Sequence, residues 1–239
     1  MKKLVVANHK ANLSMSDIGD YIFNINTNLS DKHNIVICPS YIHIPFFTSE
    51  KFELGAQDVS IYDNGSYTGE VTSEQLKSSN VKYVIVGHSE RRELFDEKEN
   101  IIKLKLKQCF KNDLIPILCV GETKDDKLSN RTSQVLRRTL LETLNGFSKE
   151  DLSKLVIAYE PIWSIGTGIT PTIKEIEEII SFIKDIIRSA YKVDVKVLYG
   201  GSVKEENIDK LKEVGNLDGL LIGGASNNAI TFSKIVDLF

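Results

Sequence analysis

Four polar side chains with complementary chemistry follow short apolar runs of the sequence. Asn8 and Lys10 follow the run that begins at Leu4, His88 follows a later run, and Glu160 ends another. An amide, an ammonium, an imidazole and a carboxylate suit proton abstraction next to a carbonyl. One group takes the proton while the others stabilise the developing enediolate. A Schiff base on a lysine, as in aldolases, is the alternative chemistry.

The segment 158–168, AYEPIWSIGTG, places Glu160 directly before an apolar loop. Ile162, Trp163 and Ile165 would expose much apolar surface in an ordinary solvent loop, so we expect this loop to close over a ligand. Closure would exclude water from a base at the strand end. If Glu160 is considered by itself, the alternative remains that it simply ends the strand and faces solvent.

Two glycine-rich stretches add a predicted anion site. The sequence Gly-Gly-Ser at 200–202 follows the seventh apolar run, and Gly223 and Gly224 follow the eighth. Such loops present backbone N–H groups to anions, and barrels commonly hold phosphate after their last two strands. Gly166 would add another N–H when its loop closes. Taken singly, each glycine pair could be only a turn, but their joint placement with the polar side chains favours a binding site.

The elements that must position these residues are eight β-rich runs that alternate with helical patterns. Residues 97–112, 131–144 and 173–187 show the spacing of amphipathic helices. The alternation admits an open doubly wound sheet or a closed (β/α)8 barrel. The count of eight strands favours the barrel, and no dinucleotide fingerprint follows the first strand. Because no linker divides the chain either, we predict a single-domain α/β barrel over residues 1–239. The strand-like runs are Leu4–Ala7, Ile35–Cys38, Leu54–Gln57, Tyr83–Val86, Ile115–Val120, Leu155–Tyr159, Val195–Tyr199 and Leu220–Ile222.

The composition excludes several classes of partner. The chain has 239 residues, 41% hydrophobic and 26% charged, as in ordinary globular proteins. Its net charge of −3, with cations interleaved among acids, argues against nucleic acid. No apolar segment approaches the roughly 20 residues that span a bilayer, and the first run is too short for a secretory signal. We therefore expect a cytoplasmic protein with no membrane partner, in which Cys38, Cys109 and Cys119 are reduced thiols.

The sequence resembles the triosephosphate isomerase family in segments that run from the first strand to the last. GHSERR and AYEPIWSIGTG carry the resemblance most specifically. The matching segments are Asn8-His9-Lys10, AQDVS (56–60), TGEV (68–71), VGHSERR (86–92), CVGET (119–123), AYEPIWSIGTG (158–168), YGGSV (199–203) and LIGGAS (221–226). The resemblance implies the TIM barrel fold more firmly than the periodicity does.

The resemblance also implies an activity, the interconversion of dihydroxyacetone phosphate and D-glyceraldehyde 3-phosphate without a cofactor. It implies that Glu160 is the base and that His88 polarises the carbonyl and shuttles protons. Lys10 would bind substrate and offset the enediolate charge, with Asn8 as its polar companion. The implied phosphate-binding residues are Gly166, Ser202, Gly223 and Gly224. Another phosphate-binding barrel enzyme or a non-catalytic barrel are the rival functions, and either would be expected to lack part of this set.

The loop 56–72 is too long for a plain connection between a strand and a helix. In the family this segment reaches into a neighbouring subunit, where the residue matching Thr68 helps to hold that subunit's catalytic lysine and asparagine. The resemblance therefore implies a homodimer, with a tetramer as a further possibility.

The sequence departs from the family pattern at three positions near the predicted site. His9 stands where the family usually has Trp, and Ala11 where it usually has Met. For His9 we expect packing or surface placement rather than catalysis. Pro171 ends the loop after Glu160, where it either restricts the hinge of that loop or opens the following helix in its first turn.

Overall fold

The eight strands of this chain form one closed parallel barrel, as seen in a computed structural model that describes residues 2–165 and 170–239. Each strand pairs in parallel with the next, and the last pairs with the first, Leu4 lying opposite Gly219. This closure confirms the predicted barrel and excludes the open sheet. The strands are β1 (Leu4–Asn8), β2 (Asn34–Cys38), β3 (Glu53–Ala56), β4 (Val81–Val86), β5 (Ile115–Val120), β6 (Val156–Tyr159), β7 (Lys196–Tyr199) and β8 (Gly219–Ile222).

Helices lie between the strands and surround the barrel. The three segments with predicted helical spacing are confirmed as α4, α6 and α8. Within the described ranges, no helix is both long and apolar enough to cross a membrane. The helices are α1 (Met15–Asn28), α2 (Ser73–Ser78), α3 (Ser89–Leu94), α4 (Glu99–Lys111), α5 (Lys124–Leu128), α6 (Thr132–Leu144), α7 (Lys149–Ser153), α8 (Ile173–Tyr191), α9 (Glu205–Leu211) and α10 (Ala229–Leu238), with short 3-10 helices at Tyr41–Phe46, Ile162–Ser164 and Gly224–Asn227.

Successive residues of each strand pack into two different cores. In β1, Leu4 and Val6 belong to the cluster inside the barrel, whereas Val5 and Ala7 belong to the layer between strands and helices. Both faces of a barrel strand are buried, which explains why the runs are apolar at consecutive positions. The three cysteines are buried free thiols: Cys38, Cys109 and Cys119.

Helix α8 shows how the sequence sets an element boundary near the predicted site. Thr172 is its N-cap and accepts a hydrogen bond from the N–H of Glu175, whose side chain accepts from the N–H of Thr172. This reciprocal pair satisfies two backbone donors at the helix start. Pro171 precedes the N-cap, so the alternative that it opens the helix in its first turn is wrong. Its effect on the preceding hinge stays a prediction.

Candidate active site

A cavity of about 610 Å³ opens at the carboxyl ends of the barrel strands. The loops after β1, β4, β6, β7 and β8 meet there because parallel strands of a closed barrel all end at the same rim. Gly166, also predicted for this site, lies outside the described residues. The predicted residues that line the cavity are Asn8, Lys10, His88, Glu160, Ser202, Gly223 and Gly224.

Glu160 is a buried carboxylate, 2% exposed, at the end of β6. Its Oε2 accepts a hydrogen bond from the N–H of Ser89 at 3.0 Å, and its Oε1 lies 3.1 Å from Nε2 of His88. Burial opposes ionisation, but His88, the Ser89 N–H and Lys10 together hold the pKa of Glu160 below its usual value. The carboxylate is therefore ionised at neutral pH and nearly inaccessible to solvent, although it borders the cavity.

His88 is the N-cap of α3, which begins directly after it as predicted. Its Nδ1 accepts a hydrogen bond from the N–H of Glu90 at 3.2 Å. Since Nδ1 is an acceptor, the neutral ring carries its proton on Nε2, which faces Glu160. Burial disfavours the charged ring, but the Glu160 carboxylate outweighs this and raises the pKa of His88. If Glu160 turned away, burial and the helix N-terminus would both favour a neutral imidazole.

Lys10 has a left-handed backbone, with φ of 53°. Such a conformation costs a non-glycine residue about 1–3 kcal/mol, and three hydrogen bonds hold it here. The N–H of Lys10 donates to Oδ1 of Asn8 at 3.1 Å, and its carbonyl accepts from Ser40 at 3.0 Å and from Gln57 at 2.8 Å. The Nζ atom pairs with Oε1 of Glu90 at 2.5 Å. These contacts therefore hold both the strained backbone and the ammonium of Lys10 in place at the cavity wall.

Two glycines leave the space that the charged side chains occupy. A Cβ atom on Gly200 would lie 3.0 Å from Cγ of Glu160, and one on Gly223 would lie 3.1 Å from Cε of Lys10. These separations are tighter than ordinary van der Waals contact. A larger residue at either position would therefore displace the neighbouring charged side chain by a few tenths of an ångström, and glycine-rich loops can in addition offer N–H groups to an anion.

A second buried carboxylate supports the start of the loop after Glu160. Glu122 follows β5 and accepts hydrogen bonds from the hydroxyl of Tyr159 at 3.1 Å and from Nε1 of Trp163 at 2.8 Å. Burial raises the pKa of Glu122. Trp163 also lies against the ammonium of Lys127, which is 5.5 Å from the ring centroid. The half-buried indole thus makes a hydrogen bond and a cation–π contact.

Sequence reasoning missed the supporting residues Ser89, Glu90 and Glu122. Each lies within a segment that resembles the family, yet their partners are distant in sequence, since Ser89 pairs with Glu160 and Glu90 with Lys10. The local signal was the predicted helix start directly after His88. The backbone N–H of the second residue of a helix points back toward the N-cap side chain.

The remaining predicted positions lie outside the cavity. His9 is buried and packs edge-on against Tyr21, with ring centroids 4.5 Å apart, and against Phe47 at 5.8 Å. This placement confirms the packing interpretation. Ala11 and Thr68 are exposed. In residues 2–165 and 170–239, no three His, Cys, Asp or Glu side chains are grouped so that they could bind a metal ion.

Comparison with known proteins agrees with this geometry. The sequence model of the family described as Triosephosphate isomerase matches residues 3–239. A protein named triosephosphate isomerase from Clostridium botulinum (strain Loch Maree / Type A3) is 38% identical, over 98% of this chain and 98% of the relative. One from Clostridium tetani is 42% identical over 85% of this chain and 83% of the relative. One from Francisella tularensis subsp. mediasiatica is 37% identical over 99% and 97%. The chain belongs to the triosephosphate isomerase family.

Proposed function

We propose that this chain is a single-domain enzyme that interconverts dihydroxyacetone phosphate and D-glyceraldehyde 3-phosphate without a cofactor, a step of glycolysis and gluconeogenesis. One observation supports this most directly. An ionised buried carboxylate, an imidazole that carries its proton on Nε2 and an ammonium line one cavity, opposite two glycine-rich loops. Relatives named triosephosphate isomerase match nearly the whole chain. We further propose a cytoplasmic location.

In the proposed reaction, Glu160 takes a proton from the carbon next to the substrate carbonyl. The electron pair of that C–H bond forms the C=C bond of an enediolate, and the carbonyl oxygen gains the negative charge. Nε2–H of His88 and Nζ of Lys10 stabilise this oxygen. Glu160 then returns the proton to the adjacent carbon, while His88 passes a proton between the two oxygens. To reach the substrate, the carboxylate must leave the N–H of Ser89.

The phosphate end of the substrate fits the glycine-rich side of the cavity. Backbone N–H groups of Ser202, Gly223 and Gly224 are the donors that we propose for it, with Gly166 as a fourth. A Schiff base at Lys10 is disfavoured, because its Nζ contacts Oε1 of Glu90 at 2.5 Å and would have to leave this contact to attack a carbonyl. Proton abstraction is therefore the better use of these residues.

The experiment that tests this function is turnover of D-glyceraldehyde 3-phosphate, with dihydroxyacetone phosphate measured by a coupled reduction. We expect the unaltered chain to convert it, and Glu160→Asp to lose about 10²–10³-fold in kcat with little change in KM, because the shorter side chain retracts the base. Glu178→Asp, on the outer surface of α8, is the matched control and should keep its kcat. No conversion by the unaltered chain would refute the proposal, as would full kcat in Glu160→Asp.

We also propose that the chain forms a homodimer through the loop 56–72 that carries Thr68. Tyr62 and Tyr67 stack in this loop with centroids 3.9 Å apart, and both are over 40% exposed. The segments after β2 and β4, which flank it around the rim, also expose large apolar side chains. Together these three neighbouring segments form an apolar surface suited to a second copy. Its exposed members are Ile42, Phe46, Tyr62, Tyr67, Leu94 and Phe95.

Sedimentation at micromolar concentration tests the dimer. We expect a dimer for the unaltered chain and a monomer for Leu94→Glu combined with Phe95→Glu, since two buried carboxylates would face an apolar surface. Leu128→Glu, an equally exposed leucine on α5, is the control. A fully active monomer at micromolar concentration would contradict this proposal without affecting the proposed reaction.

A further inference from the structure

Arg92, on α3, is not one of the residues that line the cavity, but its guanidinium contacts the backbone that carries the site. Its Nε donates a hydrogen bond to the carbonyl of Gly87 at 2.8 Å, and its Nη2 donates to the carbonyl of Cys119 at 3.2 Å. Gly87 comes directly after β4, and Cys119 is the last but one residue of β5. One planar group therefore joins the carboxyl ends of two neighbouring strands.

The first of these hydrogen bonds acts directly before His88. The carbonyl of Gly87 belongs to the peptide group that supplies the backbone nitrogen of His88. Gly87 has a φ of 68°, in the left-handed region that glycine adopts without strain. Glycine is also free to leave this region, because it has no Cβ atom to restrict its backbone. The hydrogen bond from Arg92 therefore supplies a restraint on this peptide group that the residue itself lacks.

The second hydrogen bond leads to the backbone of Glu160. Cys119 is followed by Val120, whose carbonyl accepts a hydrogen bond from the N–H of Glu160 at 2.8 Å. The guanidinium of Arg92 is thus connected through the end of β5 to the start of the loop that carries the base. The same group therefore connects the backbones of His88 and Glu160, whose side chains meet at 3.1 Å.

A third contact fixes the guanidinium itself. Its Nη1 donates to Oε1 of Glu99 at 3.1 Å, and Glu99 is the first residue of α4, where a carboxylate complements the positive end of the helix dipole. The three partners of Arg92 accept from three different nitrogens of one rigid plane. A lysine has a single nitrogen and cannot span the same partners. The position therefore suits arginine specifically, rather than any cation.

We propose that Arg92 is a positioning residue that sets the separation between the imidazole of His88 and the carboxylate of Glu160 by joining the ends of β4 and β5. This inference rests on the proposed function for the reaction that the two side chains perform. A misplacement of about 1 Å between reacting groups can cost about 10²-fold in rate. The contacts of Arg92 lie away from the loops after β7 and β8 that we propose for the phosphate, so its loss should lower kcat more than it changes KM.

The first test is steady-state kinetics on two substitutions of Arg92. For Arg92→Lys, which keeps the charge but not the planar group, we expect kcat to fall by about tenfold, and for Arg92→Met by about 10²-fold, with KM within about twofold in both. Arg91→Lys makes the same change one residue earlier on α3, where the partners are the side chains of Asp58 and Glu97. This control should keep kcat within about threefold. An equal loss of kcat in Arg91→Lys would contradict the inference.

The second test needs no turnover, because it measures the pKa of His88 by NMR of histidine labelled with ¹⁵N. Burial lowers the pKa of His88, but the adjacent Glu160 carboxylate outweighs this and raises it. A wider separation of the two side chains therefore lowers the pKa. We expect a lower pKa of His88 in Arg92→Lys than in the unaltered chain, and no change in Arg91→Lys. Because Arg92→Lys keeps its positive charge, the fall reports a change in geometry.

The two measurements separate this inference from the proposed function. If the unaltered chain does not isomerise the triose phosphate but Arg92→Lys lowers the pKa of His88, the proposed function fails and the positioning of His88 by Arg92 stands. If the chain isomerises the substrate and Arg92→Lys keeps its kcat, the inference is wrong. An unchanged pKa of His88 in Arg92→Lys would also overturn it, even with a lower kcat or melting temperature, because that result indicates a general structural role. If Arg92→Met does not fold, Arg92→Lys alone decides.

Discussion

Two clusters of charged side chains lie at the same end of this barrel and differ in what surrounds them. The first, the cavity cluster, consists of Lys10, Glu90, His88 and Glu160. Its pairs are Lys10 with Glu90 at 2.5 Å and His88 with Glu160 at 3.1 Å, and three of its members line the 610 Å³ cavity. Its side chains therefore lie beside a space that a ligand can enter.

The second, the closed network, consists of Asp58, Arg91, Glu97 and Lys105. Lys105 is 4% exposed and contacts Asp58 at 2.6 Å, and it also pairs with Glu97 at 2.5 Å. Arg91 contacts the same two carboxylates at 2.9 and 2.7 Å. Two cations and two anions thus pair in a ring, which joins the loop after β3 to α3, α4 and the segment between those helices.

The comparison shows that the number of buried charges does not distinguish catalysis from stabilisation. In the closed network each charged side chain contacts both side chains of opposite charge. Every charge in it is therefore already paired within the protein. In the cavity cluster Glu160 is held by a backbone N–H and an imidazole, and in the proposed reaction its side chain leaves the backbone N–H to reach the substrate. The space beside the charges, kept open by Gly200 and Gly223, is what makes the difference.

The largest expected effect comes from removing the cation of the cavity cluster. Lys10→Met keeps a long unbranched side chain but removes the ammonium that we propose stabilises the enediolate. We expect kcat/KM to fall by about 10³-fold or more at neutral pH, with the melting temperature nearly unchanged. Steady-state kinetics and thermal unfolding measure the two quantities. A folded Lys10→Met enzyme with ordinary kcat would remove Lys10 from the mechanism.

The same substitution in the closed network is the matched comparison. Lys105→Met leaves Asp58 and Glu97 as buried carboxylates with only Arg91 to pair them. We expect the free energy of unfolding to fall by about 3–5 kcal/mol, while kcat per folded molecule stays within about threefold. Urea unfolding and kinetics on the folded fraction test this. A large loss of kcat with unchanged stability would mean that the two clusters do not differ in the way described.

A buried titratable residue beside Lys10, His9, is expected to make the stability of the fold depend on pH without taking part in catalysis. Burial, with a contribution from His43, lowers the pKa of His9 to about 3. The unfolded chain binds a proton near pH 6.5 that the folded chain does not, so stability falls as the pH drops from 6.5 toward 3. Between pH 6.5 and 4 this amounts to about 3 kcal/mol.

His9→Phe removes that proton uptake and keeps an aromatic ring against Tyr21 and Phe47. We expect the free energy of unfolding of the variant to depend less steeply on pH below 6.5 than that of the unaltered chain. The comparison at pH 8, where His9 is neutral in both states, corrects for packing differences. Equal pH slopes in the two proteins would show that His9 is not responsible.

The smallest expected effect concerns the space beside the base. In Gly200→Ala the added methyl group displaces Glu160 by a few tenths of an ångström, so we expect kcat to fall about tenfold with the fold intact. Gly19→Ala is the matched control, because a Cβ atom at Gly19 in α1 meets nothing within 4 Å. Unchanged kcat in Gly200→Ala would show that the carboxylate tolerates the contact.

Much of the site was predictable because a barrel converts sequence order into spatial position. The residues that follow apolar runs must lie at one rim, which is why the order of the sequence alone groups Asn8, Lys10, His88 and Glu160. The start of α3 after His88 was equally local. The pairing of Lys10 with Glu90 could not be predicted from the sequence, since the two residues are 80 positions apart and only closure of the barrel brings them together.

The environment of His9 was predictable only in part. Its departure from the family pattern was visible, and packing was the expected explanation. Which rings it would contact depends on how α1 and the 3-10 helix Tyr41–Phe46 pack over β1, and no sequence spacing encodes that.

The sequence by itself determined the alternation of strands and helices, the family and the residues available for chemistry, since these depend on local periodicity and on motifs. Only the tertiary structure decided which nitrogen of His88 carries the proton and which buried carboxylate is ionised at neutral pH. It also decided which charged side chains pair with one another in the closed network. These properties depend on burial and on distances between groups far apart in the chain. Electrostatic interactions depend on burial and on these distances, and the spacing of residues along the sequence predicts neither quantity.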